Sequence, residues 1–389
     1  MAITIERDDD HLIDVPRGLA NVVAAETRIG DVRGAEGFFH YRGVSGVALA
    51  AQARFEDAWR LVALGSLPRD PREAATFRER IGEARVLPGA VVTGLSTSAQ
   101  AGATLDPMAA LRTGLALLSA ADGRFPLYDE TPAAREDDAV RLAAAAPALI
   151  ATSHRQAHGL VPLAPDPARD PISDYLRMLT GAEPDPRLVT ALAVYLTAAI
   201  DHGFNASTFA ARVIASTGAD LASCIGGALG ALAGPLHGGA PARTLEMLDE
   251  IGTPERAEEW VRERLAHGGR VMGFGHAVYR TEDPRSRLLR DVARRLRAEG
   301  LAGERVDLAV TVEQTVLRVL DELKPGRTLR TNVELYAAVV MEACGIPREL
   351  FTPTFASARL IGWGAHACEQ AQEGKIFRPS SRYVGEPAS

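Results

Sequence analysis

Between Met272 and Arg287 the chain reads M-G-F-G-H-A-V-Y-R-T-E-D-P-R-S-R. His276 stands directly behind the bare-backbone turn Gly273-Phe274-Gly275, and Arg280, Arg285 and Arg287 follow it. Upstream, His237 is framed by glycines in G-P-L-H-G-G. An imidazole held in irregular backbone can be turned into a cleft, where the neutral ring donates a hydrogen bond to a carbonyl oxygen. A guanidinium group offers a planar fork that matches carboxylates and phosphates. These residue types describe a polar site for a small anionic substrate, one that polarises carbonyls without a metal.

Each residue also has a blander reading. His237 could equally cap a helix end. Gly273-Phe274-Gly275 exposes backbone amides suited to an adenine ring or a phosphate. It is not a dinucleotide fingerprint, because no glycine follows at the required spacing and no strand precedes it. His202, in A-I-D-H-G-F-N-A-S-T, follows an apolar helix, and a lone histidine of that kind is more often structural. His11, His40, His154, His158, His267 and His366 have no convergent context and read as structural or surface residues. There is no H-E-x-x-H, no paired cysteines, no G-x-S-x-G elbow and no Walker loop, so the expectation is no metal and no cofactor.

Composition narrows the class. The 389 residues carry 47% hydrophobic and 24% charged side chains, as a globular chain with a large core should. The net charge of −7 argues against a nucleic-acid partner, which needs a basic face. Arginines are dense between Arg262 and Arg297, mostly as a solvated helix face. Cys224, Cys344 and Cys368 are far apart, which fits a reducing compartment rather than disulfides or zinc. The acidic start has no apolar leader core, and the apolar run Leu221–Leu236 is too short and glycine-rich to span a membrane. The expected location is cytoplasmic, with no membrane association.

The elements that must position these residues read as helices. Phe55–Leu64, Met108–Ala121 and Leu188–Ile200 have the length and composition of helices. Asp70-Pro71, Asp106-Pro107, Asp170-Pro171 and Asp185-Pro186 are helix starts, with aspartate as the cap and proline at the first helical position. Thr253-Pro254 opens another helix that stops at Gly268-Gly269. Only Ala2–Glu6 and Phe38–Arg42 read as strand or extended pieces, so the fold class is mainly α. Gly226, Gly230 and Gly234 share one helix face, which allows close approach of another helix, either within the chain or at a subunit interface. A glycine hinge at His237-Gly238-Gly239 and a junction at Cys344–Pro347 enclose a segment long enough for an inserted small domain. The division is 1–238 and 346–389 for a large helical domain and 239–345 for the small one, with a ligand sealed between them on closure.

P-L-H-G-G-A, G-F-G-H-A-V-Y-R-T-E-D-P-R, D-H-G-F-N-A-S-T-F-A-A-R-V and F-R-P-S-S-R-Y-V-G, in this order along nearly the whole chain, resemble the citrate synthase family. The resemblance implies a two-domain, all-α homodimer that condenses acetyl-CoA with oxaloacetate and hydrolyses citryl-CoA to citrate and CoA. It gives His237 the thioester carbonyl and His276 the oxaloacetate ketone, and has His202, Arg285 and Arg359 hold oxaloacetate. Arg378 would bind oxaloacetate in the partner subunit's site. Met272, Gly273, Phe274, Gly275 and Arg280 would bind CoA, which is a substrate rather than a cofactor. The family's catalytic aspartate is replaced, since Thr331-Asn332-Val333 is followed by Glu334, and the usual H-G-G-A-N ends here in Pro241. Both departures resemble a branch of second citrate synthases in bacteria, which makes Glu334 the expected base. A 2-methylcitrate synthase using propionyl-CoA, a citryl-CoA-cleaving module and a non-catalytic binding paralogue are the alternatives.

Overall fold

The computed structural model describes residues 12–100, 106–235, 237–238, 240–275, 278–279, 281–323 and 329–386. His276 and Arg280 lie outside the described residues, as do the expected extended piece Ala2–Glu6 and Gly239. Among the described residues sixteen α-helices dominate, so the fold is mainly α.

Three short strands come first: β1 (Gly30–Arg33), β2 (Phe38–Tyr41) and β3 (Val44–Ser45), antiparallel in that order. The β2 strand was legible in the sequence. Its neighbours were not, because β1 is the polar run G-D-V-R, which becomes strand only by pairing Gly30 with Tyr41 and Asp31 with His40. The helices follow as α1 (Gly46–Gln52), α2 (Phe55–Leu64), α3 (Pro71–Ala84), α4 (Gly89–Gln100), α5 (Pro107–Ala121), α6 (Pro132–Ala157), α7 (Pro171–Thr180) and α8 (Pro186–Ala199). Then come α9 (Ala206–Ala215), α10 (Leu221–Ala233), α11 (Ala240–Ile251), α12 (Ala257–Ala266), α13 (Pro284–Ala298), α14 (Arg305–Leu323), α15 (Val333–Ala343) and α16 (Phe351–Glu373).

Caps explain where these helices begin. Asp70 accepts from the Glu73 amide, Asp106 from Ala109, Asp170 from Ile172 and Ser173, and Asp185 from Arg187, so each expected Asp-Pro start is realised. Thr253-Pro254 opens a 3-10 turn before α12, and the chain leaves that helix at His267-Gly268. Among the dense arginines, Arg262 pairs with Glu258 and Glu322, and Arg297 pairs with Asp307. None of the described helices is long and apolar enough to cross a membrane.

The core centres on α16, buried along nearly its whole length and packed against α6, α9, α10, α2 and α8. A helix surrounded this way needs small residues where neighbours crowd it. At Gly362 an added Cβ would lie 2.4 Å from the Ile200 carbonyl oxygen, so glycine there lets the end of α8 rest on α16. This close approach places the loop after α8, with Asp201 and His202, beside Arg359. The sheet supports the same loop, since buried Tyr41 donates from Oη to the Thr197 carbonyl at 3.0 Å.

The α10 glycines do not all face the same neighbour. Gly227 faces Ile214 of α9, whereas an added Cβ at Gly226 or Gly230 would meet only the Arg112 side chain, at 3.9 and 3.7 Å. At Gly226 and Gly230, then, only one side chain of α5 comes near within the chain. Gly362→Ala should destabilise the protein by about 1–3 kcal/mol through overpacking. Urea unfolding checks this, and an unchanged midpoint would show that the contact between α8 and α16 relaxes freely.

Candidate active site

One cavity of about 660 Å³ gathers most of the residues singled out in the sequence. His202, His237, Gly275, Arg285, Glu334 and Arg359 all line it. They come from the loop after α8, the turn before α11, the stretch leading to α13, the first turn of α13, the first turn of α15 and the middle of α16. Met272 and Phe274 do not line it and instead pack, partly buried, against the core. Arg378 lies on the exposed C-terminal segment, away from this cavity within the chain.

Glu334 is placed by backbone stitching. Asn332 caps α15 by accepting from the Glu334 amide at 3.0 Å, which puts Glu334 in the first turn of the helix. The Asn332 amide donates to the Gly273 carbonyl at 2.9 Å, and Asn332 Nδ2 donates to the Gly275 carbonyl at 2.9 Å. The Gly275 amide in turn donates to the Arg330 carbonyl at 2.8 Å. Glycine is required on the near side of this stitch, because Gly273 and Gly275 have φ of 80° and 90°. The Gly275 N–H, one of the amides the turn was expected to offer to an adenine ring or a phosphate, is already used within the chain. The turn's evident job is to fix the strand-like segment that delivers Glu334.

Burial pushes the Glu334 carboxyl from its usual 4.5 up to about 7; Arg285 opposes the shift and Asp283 adds to it. Such a group changes protonation near neutral pH, which suits proton abstraction. Arg285 is held by a bidentate pair with buried Asp283, Nε to Oδ1 at 3.0 Å and Nη2 to Oδ2 at 2.8 Å. Burial works against its charge, but Asp283 outweighs burial and raises its pKa. For Arg359 burial prevails and lowers the pKa, with Asp201 opposing and Arg285 adding to the effect. Arg359 donates from Nε to the Ala199 carbonyl at 2.7 Å and lies over the Phe355 ring at 4.6 Å. No other hydrogen bond fixes its guanidinium among the described residues, so its outer nitrogens are available to a bound carboxylate.

His202 Nε2 lies 3.1 Å from Tyr279 Oη. The loop that carries it is anchored by a buried relay that the sequence did not disclose. Arg212 Nη1 meets His366 Nδ1 at 3.1 Å, and His366 Nε2 meets Asp201 Oδ1 at 3.2 Å. Since the arginine can only donate, His366 accepts at Nδ1 and gives its Nε2 proton to Asp201. Burial opposes the Asp201 charge, yet His366, Arg359 and the Gly203 amide hold its pKa below the ordinary value. His366 therefore works as a structural residue, as its sequence context indicated.

His237 sits in a turn, its amide bonded to the Gly234 carbonyl at 3.0 Å. The following Gly238 has no room for a side chain, since a Cβ would lie 2.0 Å from the Leu232 carbonyl oxygen. Burial lowers the imidazole pKa and Arg359 lowers it further, so the ring is neutral at pH 7. His237 Nε2 lies 2.8 Å from Ser207 Oγ, a partner the sequence did not single out. That hydroxyl also reaches Asn205 Oδ1 at 2.7 Å, but Asn205 Oδ1 already accepts from the Ser207 and Thr208 amides. When the hydroxyl proton turns to His237 Nε2, the ring must carry its own proton on Nδ1 and can donate it into the cavity.

Residues 18–380 match the family model described as citrate synthase, C-terminal domain. The citrate synthase of Synechocystis is 38% identical over 369 residues, covering 95% of this chain and 90% of that protein. The 2-methylcitrate synthase of Mycobacterium tuberculosis is 34% identical over 376 residues, covering 97% of this chain and 92% of that one. A citrate synthase of Thermoplasma acidophilum, solved as a ternary complex with carboxymethyl coenzyme A and oxaloacetate, aligns with a TM-score of 0.87 at 26% identity over 97% of both chains. The chain belongs to the citrate synthase family and is an enzyme of the acyltransferase type.

Two outcomes are expected from the site. Between pH 4.5 and about 7 the folded chain keeps a proton on Glu334 that the unfolded chain has released, so this group's contribution to stability falls as pH rises through that window. The loss is on the order of 3 kcal/mol. Glu334→Gln cannot ionise, so urea unfolding should show the variant gaining on the wild type across the window, whereas parallel curves would return the carboxyl to its ordinary pKa. Ser207→Ala should lower kcat at least about tenfold with a smaller change in KM, because the His237 imidazole loses the hydroxyl that orients it. Steady-state kinetics with CD as a fold control measures it.

Proposed function

We propose that this enzyme is a citrate synthase in the strict sense, condensing acetyl-CoA with oxaloacetate and hydrolysing citryl-CoA. The observation that carries the proposal is the cavity in which a carboxyl group titrating near 7, a neutral imidazole and two buried arginines meet. The acetyl methyl group is a very weak acid, so its proton leaves only if the thioester oxygen is stabilised at the same moment. Glu334 takes that proton while His237 donates a hydrogen bond to the developing enolate oxygen. Positioned acid–base groups of this kind supply roughly 10²–10⁴-fold. The enolate carbon then attacks the oxaloacetate ketone, and His276 protonates the resulting oxygen.

Arg285, Arg359 and His202 hold the two oxaloacetate carboxylates, whose charges would otherwise repel the approaching enolate. Water finally cleaves the citryl thioester, releasing citrate and CoA. Closure of segment 239–345 over 1–238 and 346–389 keeps that water out until the carbon–carbon bond has formed. Arg280 and the segment Met272–Gly275 are assigned to CoA by the family resemblance. Glu334 is one methylene longer than the family's aspartate, and the stitch from Asn332 to Gly273 and Gly275 is what sets the backbone position from which it reaches. The second reading, 2-methylcitrate synthesis, is favoured by the similarity to a 2-methylcitrate synthase and by apolar Leu232, Val333, Ala337 and Phe355 in the cavity lining.

The working unit is a homodimer in the cytoplasm. Gly226 and Gly230 leave a face of α10 open to a partner helix, and Ile376 and Val384 are exposed on the C-terminal segment that carries Arg378. That segment would deliver Arg378 to the partner subunit's cavity. Three buried free thiols suit a reducing compartment.

Thiol release measured with oxaloacetate and either acetyl-CoA or propionyl-CoA tests the proposal. The wild type is expected to favour acetyl-CoA, and Glu334→Gln to lose at least about a hundredfold in kcat. Faster turnover of propionyl-CoA would instead support the second reading. Equal rates for wild type and Glu334→Gln would remove Glu334 as the base.

A further inference from the structure

A second group of donors lies outside the cavity. His154 and His158 stand one turn apart at the end of α6, and Glu349 belongs to the 3-10 turn Arg348–Leu350 that leads into α16. One donor atom from each of the three lies within 4.8 Å of the others. The two imidazole centroids are 4.2 Å apart, and His154 Nδ1 is 3.8 Å from Glu349 Oε1. Histidines four residues apart share a helix face. The carboxylate that faces them comes from a distant segment, which is why the sequence reading passed over them.

The group is partly prepared for a ligand. The His154 side chain is only 10% exposed, so one donor is already fixed in place. His158 Nδ1 lies 2.8 Å from the His154 carbonyl oxygen. A ring nitrogen that donates to a backbone carbonyl leaves the other nitrogen unprotonated, the tautomer that metal-bound histidine requires. Two imidazoles and one carboxylate suit a borderline transition ion better than calcium or magnesium, which prefer all-oxygen shells.

We propose that His154, His158 and Glu349 form a binding site for a divalent transition ion of the zinc, cobalt or nickel class, with water completing the coordination. An ion there ties the end of α6 to the 3-10 turn that follows the junction at Cys344–Pro347. The same turn carries Arg348, which is hydrogen-bonded to Asp249 of α11 and lies 3.4 Å from Glu342 of α15. Occupancy therefore braces a connection between α16 and the helices on the far side of the junction.

The full chain, stripped with a chelator, should bind Co²⁺ at one ion per chain with visible d–d absorption, and Zn²⁺ should raise its thermal midpoint. Loss of even an outer-shell partner weakens metal sites by about 10–100-fold, so His158→Ala and Glu349→Gln should each weaken Co²⁺ at least about tenfold and abolish the Zn²⁺ shift. Neither residue lines the active-site cavity, so thiol release in metal-free buffer should match the wild type and show that both variants are folded. Wild-type affinity in either variant would overturn the site. So would the absence of a Co²⁺ spectrum and of any Zn²⁺ effect in the wild type.

Discussion

A carboxyl group withdrawn from water resists ionisation, while a neighbouring guanidinium favours it. At Glu334 the first effect wins, and the group is left near 7 although Arg285 opposes the shift. Arg285 is itself occupied by a bidentate pair with Asp283, so it does not neutralise Glu334 with a salt bridge of its own. The pair absorbs the desolvation cost of Arg285 and leaves Glu334 basic enough to take a proton but not so exposed that it is merely a surface acid. Much of the surrounding structure follows from keeping those charges apart.

Arg359 poses the same problem on another helix. It is buried in the middle of α16, and its charge is balanced mainly through Asp201. Asp201 is in turn kept ionised by His366, whose tautomer is set by Arg212. This chain of buried polar groups joins α9, α16 and the loop after α8, and the missing side chain at Gly362 allows the loop to come close enough. Buried ions of this kind contribute little net stability, because desolvation offsets their attraction. Their value lies in holding His202 and Arg359 at fixed positions around the cavity.

Much of the architecture was legible along the chain. Four Asp-Pro starts, the helix Phe55–Leu64 and the strand Phe38–Tyr41 stand where caps, breakers and periodicity put them. The reading failed where an element depends on a remote partner. The polar β1 strand exists by pairing with β2, and the Gly275 amide is consumed by Arg330, far along the chain. His237 and Glu334 were found through motifs, but Ser207, Tyr279 and Asp201 were not. Asp201 had a faint signal as the neighbour of His202, whereas nothing local marks Ser207 as the partner of His237.

The starts of several helices, the mainly α class and the candidate site residues were legible in the sequence itself, since caps and periodicity act within a few residues and motif residues keep their chemistry wherever they lie. Which of those side chains share a cavity, which nitrogen of His237 can carry the proton, and how far the Glu334 carboxyl departs from an ordinary glutamate were decided only by tertiary structure. Proton affinity and hydrogen-bond direction depend on burial and on the nearest charges, and in this fold those come from segments separated by most of the chain.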